Sequence, residues 1–196
     1  MFRSMTTGPV YGLDICKEMI DMANVKKETD KHDIEYIVQD VSAPFKLPMQ
    51  FDIAALTWLL AHSNSYEMIT RIMKNVYDNL KPGGRAVSIG IIGQPMDKMR
   101  ELEKYGFYKF TYPDGITELV DGTPGKVQIL APGLDIVLDD YWFSQEAFHK
   151  ALVEVGFVNI EWAPLTLSPE WRGDKHFWDK FIENNAHGFF SAYKPE

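Results

Sequence analysis

The chain has 196 residues, 45% of them hydrophobic and 13% aromatic, with a formal net charge of −8 and one cysteine, Cys16. This length suits a single domain over residues 1–196, since two would each be short of core, and the apolar content excludes disorder. An acidic chain without a Lys/Arg cluster repels a phosphate backbone, which argues against nucleic acid as a partner. A lone cysteine excludes a disulfide framework and any zinc site of paired cysteines, and fits a reducing, cytoplasmic setting. The longest strongly apolar stretch, residues 53–61, is too short to cross a bilayer, and residues 1–8 lack the apolar core of a signal peptide, so no membrane partner is expected.

Residues 10–15 read as a buried strand, followed by a helix with Met19, Ile20 and Ala23 at helical spacing. Residues 34–38 form a second strand, after which Pro44 and Pro48 prevent a long helix. Residues 51–56 form a third strand. Asn64 and Glu67 then make a capping pair for a helix with Ile69, Ile72, Met73, Val76 and Leu80 on one face. Lys81-Pro82-Gly83-Gly84 stops that helix, and residues 86–92 form a fourth strand. Strands alternating with helices predict parallel pairing and an α/β fold.

From about residue 95 to 143 the pattern changes to a charged helix at 96–104 and strand-like runs at 107–112, 126–130 and 136–141, a small β-rich insertion. Ser144 caps a helix carrying Phe148, Ala151, Leu152 and Val155, closed by Gly156. Strands at 157–162 and 188–193 finish the core, and the connector at 171–185 contains a helix.

Three stretches carry a family resemblance: Val10-Tyr-Gly-Leu-Asp-Ile-Cys-Lys-Glu-Met-Ile20, Ile37-Val-Gln-Asp-Val-Ser42 and Leu80-Lys-Pro-Gly-Gly-Arg85. In order and spacing the chain resembles class I S-adenosylmethionine (SAM)-dependent methyltransferases of the small-molecule, methyltransferase-domain type. The resemblance implies a Rossmann-like sheet and SAM as cofactor. It puts Asp14 at the ribose hydroxyls, Ile15 and Met19 on the adenine, Asp40 beside the adenine amino group and Val41 at the ring through its backbone. Thr57 and Trp58 then stand where the fourth family strand ends, near methionine and substrate. His62 is the candidate base, and Tyr141 and Trp142 bound a small-molecule acceptor.

The same residues admit plainer roles. Asp14 also suits a helix cap, Asp40 a turn, Met19 a core position and His62 a loop. The aromatic set Tyr105, Phe107, Tyr108, Phe110, Tyr112, Tyr141 and Trp142 suits either a pocket for a planar substrate or packing of the insertion. Neither the histidines nor Asp139-Asp140 have metal-ligand spacing, so no metal is expected.

In the family, a strand, a Gly-x-Gly-x-Gly loop and a helix precede the residue that Asp14 matches. Only thirteen residues precede Asp14, and no such loop occurs elsewhere. The expectation is a fold lacking its first strand, an N-terminally truncated methyltransferase in which the strands at 10–15 and 51–56 pair directly, or a second copy or a partner chain completes the sheet, or the sequence is a truncated product of a longer gene. Two functions follow: SAM-dependent methyl transfer to a small molecule, or a non-catalytic pseudo-methyltransferase acting as a binding or regulatory partner.

Overall fold

A computed structural model describes residues 7–91, 105, 108–131, 134–183 and 187–196; the predicted helix at 96–104 and Phe107 lie outside them. The chain divides into two compact units, Met1–Phe45 and Lys46–Glu196.

In the first unit, β1 (Val10–Asp14) and β2 (Ile34–Val38) pair in parallel from Val10↔Ile34 to Asp14↔Val38. Parallel neighbours need a crossover, and α1 (Lys17–Asp30) supplies it. Gly12 is required by contact, because a Cβ there would stand 2.6 Å from the ring of Tyr36, its cross-strand partner. Of the three apolar residues predicted to face inward from α1, only Ile20 is buried, while Met19 is 53% exposed. A sheet of two strands gives the helix a narrow surface to cover, so the apolar spacing overstated its contact.

The second unit is built on a four-stranded sheet of order β3-β4-β9-β8: β3 (Phe51–Thr57), β4 (Leu80–Ile91), β8 (Val158–Pro164) and β9 (His187–Tyr193). β3 and β4 are parallel, as the alternation predicts, while β9 runs antiparallel to both its neighbours. The helix after β3, α2 (Tyr66–Asn79), is capped one residue later than predicted: the Ser65 side chain, not Asn64, accepts from the Met68 N–H at 3.2 Å. Ser65 has the extended backbone that an N-cap needs, which brings its hydroxyl within reach of the first turn. Ile69, Ile72 and Met73 are buried, whereas Val76 is half-buried.

α2 stops at Asn79, and β4 begins at once with Leu80, not at Ala86 as predicted. Leu80 pairs with Phe51 before the register shifts to Ile53↔Arg85. Gly83 sits at φ 74, and a Cβ on Gly84 would lie 2.8 Å from the Lys81 carbonyl, so both glycines are needed to pass this corner. Lys194, just beyond β9, closes the junction: its N–H donates to the Gly84 carbonyl at 2.9 Å and its carbonyl accepts from the Gly83 N–H at 3.0 Å. Its ammonium donates to the carbonyls of Tyr77 at 3.0 Å and Leu80 at 2.8 Å.

The β-rich insertion forms as expected, as a three-stranded antiparallel sheet of β5 (Tyr108–Thr111), β6 (Thr123–Ala131) and β7 (Leu134–Trp142). α3 (Gln145–Val155) has Ser144 as its cap and Gly156 at φ 105 as its stop, and it buries Phe148, Ala151 and Leu152. The connector contains a 3₁₀ turn, His176–Trp178, leading into a short helix α4 (Asp179–Glu183). Tyr105 stacks on Trp178 at 5.4 Å and meets Phe177 and Phe181 edge-on, so it packs with the connector.

Because the last carbonyls of a helix have no partner within it, Lys194→Met should lower stability by about 1–3 kcal/mol, the worth of charge-assisted hydrogen bonds. Urea unfolding of the two proteins checks this, and a shift of the midpoint without a change in slope is the expected outcome.

Candidate functional site

In the first unit the predicted cofactor residues gather at one strand end. Parallel pairing puts the carboxyl ends of β1 and β2 side by side, and the Gln39 N–H donates to the Asp14 carbonyl at 2.8 Å. The Asp14 side chain spends one oxygen on the Cys16 N–H, at 2.8 Å. Its other oxygen has no hydrogen-bond partner among the described residues. Asp14 therefore does shape the turn into α1, and it retains an acceptor for a ligand. Beside it Ile15 and Met19 stand 68% and 53% exposed, an unusual position for apolar side chains flanking a half-buried carboxylate. Asp40 behaves as a turn residue: its Oδ1 accepts from both the N–H (2.8 Å) and the hydroxyl (2.7 Å) of Ser42. That bond closes the turn in which half-buried Val41 sits. The surface thus offers one carboxylate oxygen as an acceptor beside two exposed apolar side chains.

In the second unit Thr57 ends β3, exposed, and Trp58 follows at φ 59. A bulky residue in the left-handed region costs on the order of 1–3 kcal/mol and persists where its surroundings hold it. Here the Trp58 N–H donates to the Ile89 carbonyl at 2.9 Å, extending the β3–β4 ladder past the kink. The chain then turns through a 3₁₀ segment, Leu60–His62, which buries Leu60 and Ala61 and exposes His62. Between this segment, Gly90, Phe148 and Phe190 lies a cavity of about 20 Å³, room for about one water and too small for an organic acceptor.

His62 is held by the insertion. Its Nδ1 lies 2.8 Å from the backbone carbonyl of Asp139 on β7, an edge strand of its sheet. A carbonyl only accepts, so Nδ1 carries the proton and Nε2 of the neutral ring is left as a base. The next residue, Asp140, is buried at 4% exposure, and its Oδ1 has no hydrogen-bond partner among the described residues. Burial pushes the Asp140 carboxyl up to about 6, against the opposing pull of His62 and of the Tyr141 backbone. Tyr112 is the other group in this cluster: burial, and then the Asp140 charge, push its hydroxyl up to about 12. Its ring covers Gly125, the cross-strand partner of Asp140, where a Cβ would come within 2.9 Å. The Tyr112 hydroxyl and the hydroxyl of Ser63, next to His62, are likewise buried without partners among the described residues.

Tyr141 and Trp142 are half-buried neighbours on β7, paired with Pro124 and Thr123. Successive strand residues point to opposite faces, so they do not share one surface; Trp142 shares the face of Asp140. The sequence offers Tyr112 only within the aromatic set, as pocket or packing, and does not single out Asp140. The available signal is a pair of acidic residues, Asp139 and Asp140, in an otherwise apolar strand run from Ile136 to Trp142, a pair that the sequence reading tests only as metal ligands.

Comparison with known proteins agrees with this architecture. A family model described as a methyltransferase domain matches residues 2–88. The demethylmenaquinone methyltransferase of Lactococcus lactis is 34% identical over 85 residues, 42% of this chain. The match takes in only 32% of that enzyme's length. Among solved structures, a SAM-dependent methyltransferase from Clostridium acetobutylicum superposes with a TM-score of 0.62 at 13% identity, over 96% of this chain and 76% of that one. A SAM-dependent methyltransferase homologue from Listeria monocytogenes gives 0.62 at 18% identity, over 96% and 80%. At these identities the structures share the fold.

A carboxyl raised from 3.8 in the free residue to about 6 in the fold binds its proton more tightly when folded, so it opposes folding once ionised. The penalty is absent below about pH 4, grows between pH 4 and 6, and is complete above, on the order of 3 kcal/mol at 1.4 kcal/mol per unit. Asp140→Asn should therefore be more stable than the parent at pH 8, with the gain shrinking to nothing near pH 4. Thermal unfolding of both proteins across that range checks the sign.

Proposed function

We infer that this chain, whose residues 2–88 belong to the methyltransferase-domain family and whose fold is that of class I SAM-dependent methyltransferases, transfers the methyl group of SAM to a small-molecule acceptor. The observation that carries the reading is the strand-end surface of the first unit: a carboxylate oxygen on Asp14 without a partner among the described residues, flanked by exposed Ile15 and Met19. In open α/β sheets, ligands bind at the carboxyl ends of the strands, and Asp14 stands at that end of β1.

On this reading Asp14 accepts from the ribose hydroxyls, Ile15 and Met19 cover the adenine, and Asp40 braces the turn that presents the Val41 backbone. In the second unit Thr57 and the kinked Trp58, at the end of β3, are the further candidate cofactor residues. Bound SAM supplies an electrophilic methyl on a sulfonium. The protein's share is alignment, which supplies most of the acceleration in an in-line displacement, together with a base where the acceptor must lose a proton. His62 Nε2 is that base, its tautomer set by the Asp139 carbonyl. Trp142, on the face of Asp140, borders the acceptor, and Tyr141 lies on the opposite face.

The antiparallel β9 between β4 and β8 argues against a dinucleotide-binding dehydrogenase, whose sheet is mostly parallel and whose glycine fingerprint this sequence lacks. Calorimetric titration with SAM and with S-adenosylhomocysteine tests the proposal. Saturable binding is expected, and Asp14→Ala should weaken it at least tenfold, about 1.4 kcal/mol or more for hydrogen bonds to a charged acceptor. A folded chain that binds neither ligand, or a variant that binds both as well as the parent, overturns the assignment.

A further inference from the structure

Resting on the methyl-transfer reading, we propose that Asp140 is the positioning residue for His62, its buried carboxylate stabilising the imidazolium formed when Nε2 takes a proton from the acceptor, and hence that the acceptor is an O–H or N–H nucleophile. The step balances as follows. The acceptor's O–H or N–H bond breaks and its proton passes to Nε2. The acceptor's electron pair forms the bond to the methyl carbon, and the pair of the methyl–sulfur bond stays on sulfur. The positive charge that began on sulfur ends on His62, beside a negative charge that the fold has placed in advance.

The geometry behind this is local. The Asp139 carbonyl fixes the imidazole at 2.8 Å, and one residue along the same strand a carboxylate is buried with Oδ1 lacking a partner among the described residues. A buried carboxylate oxygen without a hydrogen-bond partner is costly and calls for a reason, even where the Tyr141 backbone supports the carboxylate. Opposite charges in a water-poor setting interact far more strongly than on the surface, so a transient imidazolium is such a reason. Among the described residues facing Asp140, His62 is the one that can become its counter-charge: Tyr112, with its hydroxyl pushed up to about 12, remains a neutral phenol. Lys126 pairs at 3.4 Å with Asp139, whose side chain leaves β7 on the other face and is exposed. An acceptor without a proton to lose, such as a tertiary amine or a thioether, makes no use of this arrangement.

The coupling is mutual, so it can be read on Asp140 without SAM or any acceptor. ¹³C NMR of the Asp140 carboxyl is followed with pH in the full chain and in His62→Gln, where Gln keeps a donor for the Asp139 carbonyl. Asp140 should titrate higher in the variant by about half a unit or more, because the imidazolium no longer favours the carboxylate; an unchanged midpoint overturns the proposal. A second arm measures methyl transfer from SAM to a panel of phenols and primary amines against tertiary amines and thioethers. Asp140→Asn should slow the first group at least tenfold and leave the second within about twofold, and equal losses on both overturn the proposal. If the panel yields no turnover, the carboxyl titration alone decides. Because that titration needs no cofactor, it can succeed where SAM binding fails, which separates this inference from the functional reading beneath it.

Discussion

The sheet of the second unit depends on the junction where the end of α2, the start of β4 and the end of β9 meet at Gly83, Gly84 and Lys194. A helix that runs straight into a strand leaves its last carbonyls without helical partners, and at Asn79–Leu80 there is no loop to bring water to them. Lys194 answers this with one side chain, its ammonium on the Tyr77 and Leu80 carbonyls and 4.7 Å from the Tyr77 ring centroid, while its backbone pairs with both glycines. The bonds that cap the helix thus also set the register of β9 against β4, Arg85↔Tyr193 onward. Among the described residues β9 gives β8 its pairing in the sheet, so the order β3-β4-β9-β8 follows from one corner.

That corner was half legible. Lys81-Pro-Gly-Gly signalled the end of a helix, but α2 ends earlier, at Asn79 with Leu80 as an extended C-cap, and Gly83 at φ 74 turns the chain inside β4 instead. The early start of β4 was not legible, because Pro82 and two glycines read as a loop when the partner is unknown; here the Phe51 strand and the Lys194 backbone make a ladder of residues with poor strand propensity. The Ser65 cap was missed for a related reason. Asn64, Ser65 and Glu67 satisfy cap patterns in two registers, and only the extended backbone at Ser65 decides between them.

The candidate site divides in the same way. Motifs of fixed spacing identified Asp14 and Asp40, since strand-end acids followed by turns have a local signature. The turn role of Asp40 is real, as Ser42 shows, whereas Asp14 does not cap α1, whose N-cap is Cys16; it closes the turn before that helix and leaves one carboxylate oxygen for a ligand. Asp140 has no local signature. Its character comes from partners 15 and 78 positions away, Gly125 across the sheet and His62 beyond it, and from burial that no window of sequence reveals. A β-strand alternates its faces, but which face is covered depends on the elements packed there.

The insertion therefore does more than decorate the sheet. Its edge strand β7 offers a backbone carbonyl that paired strands would have consumed, and His62 takes it. The hydrogen bond fixes the imidazole tautomer and brings the Leu60–His62 turn onto the strand that carries Asp140. A loop histidine would otherwise sample both tautomers and many rotamers, and holding it would fall to the ligand. Here the scaffold holds it beforehand, at the expense of an ionised carboxyl that opposes folding at neutral pH. A fold selected for stability alone would put an asparagine at position 140; retaining the acid makes sense where a positive charge must form next to it.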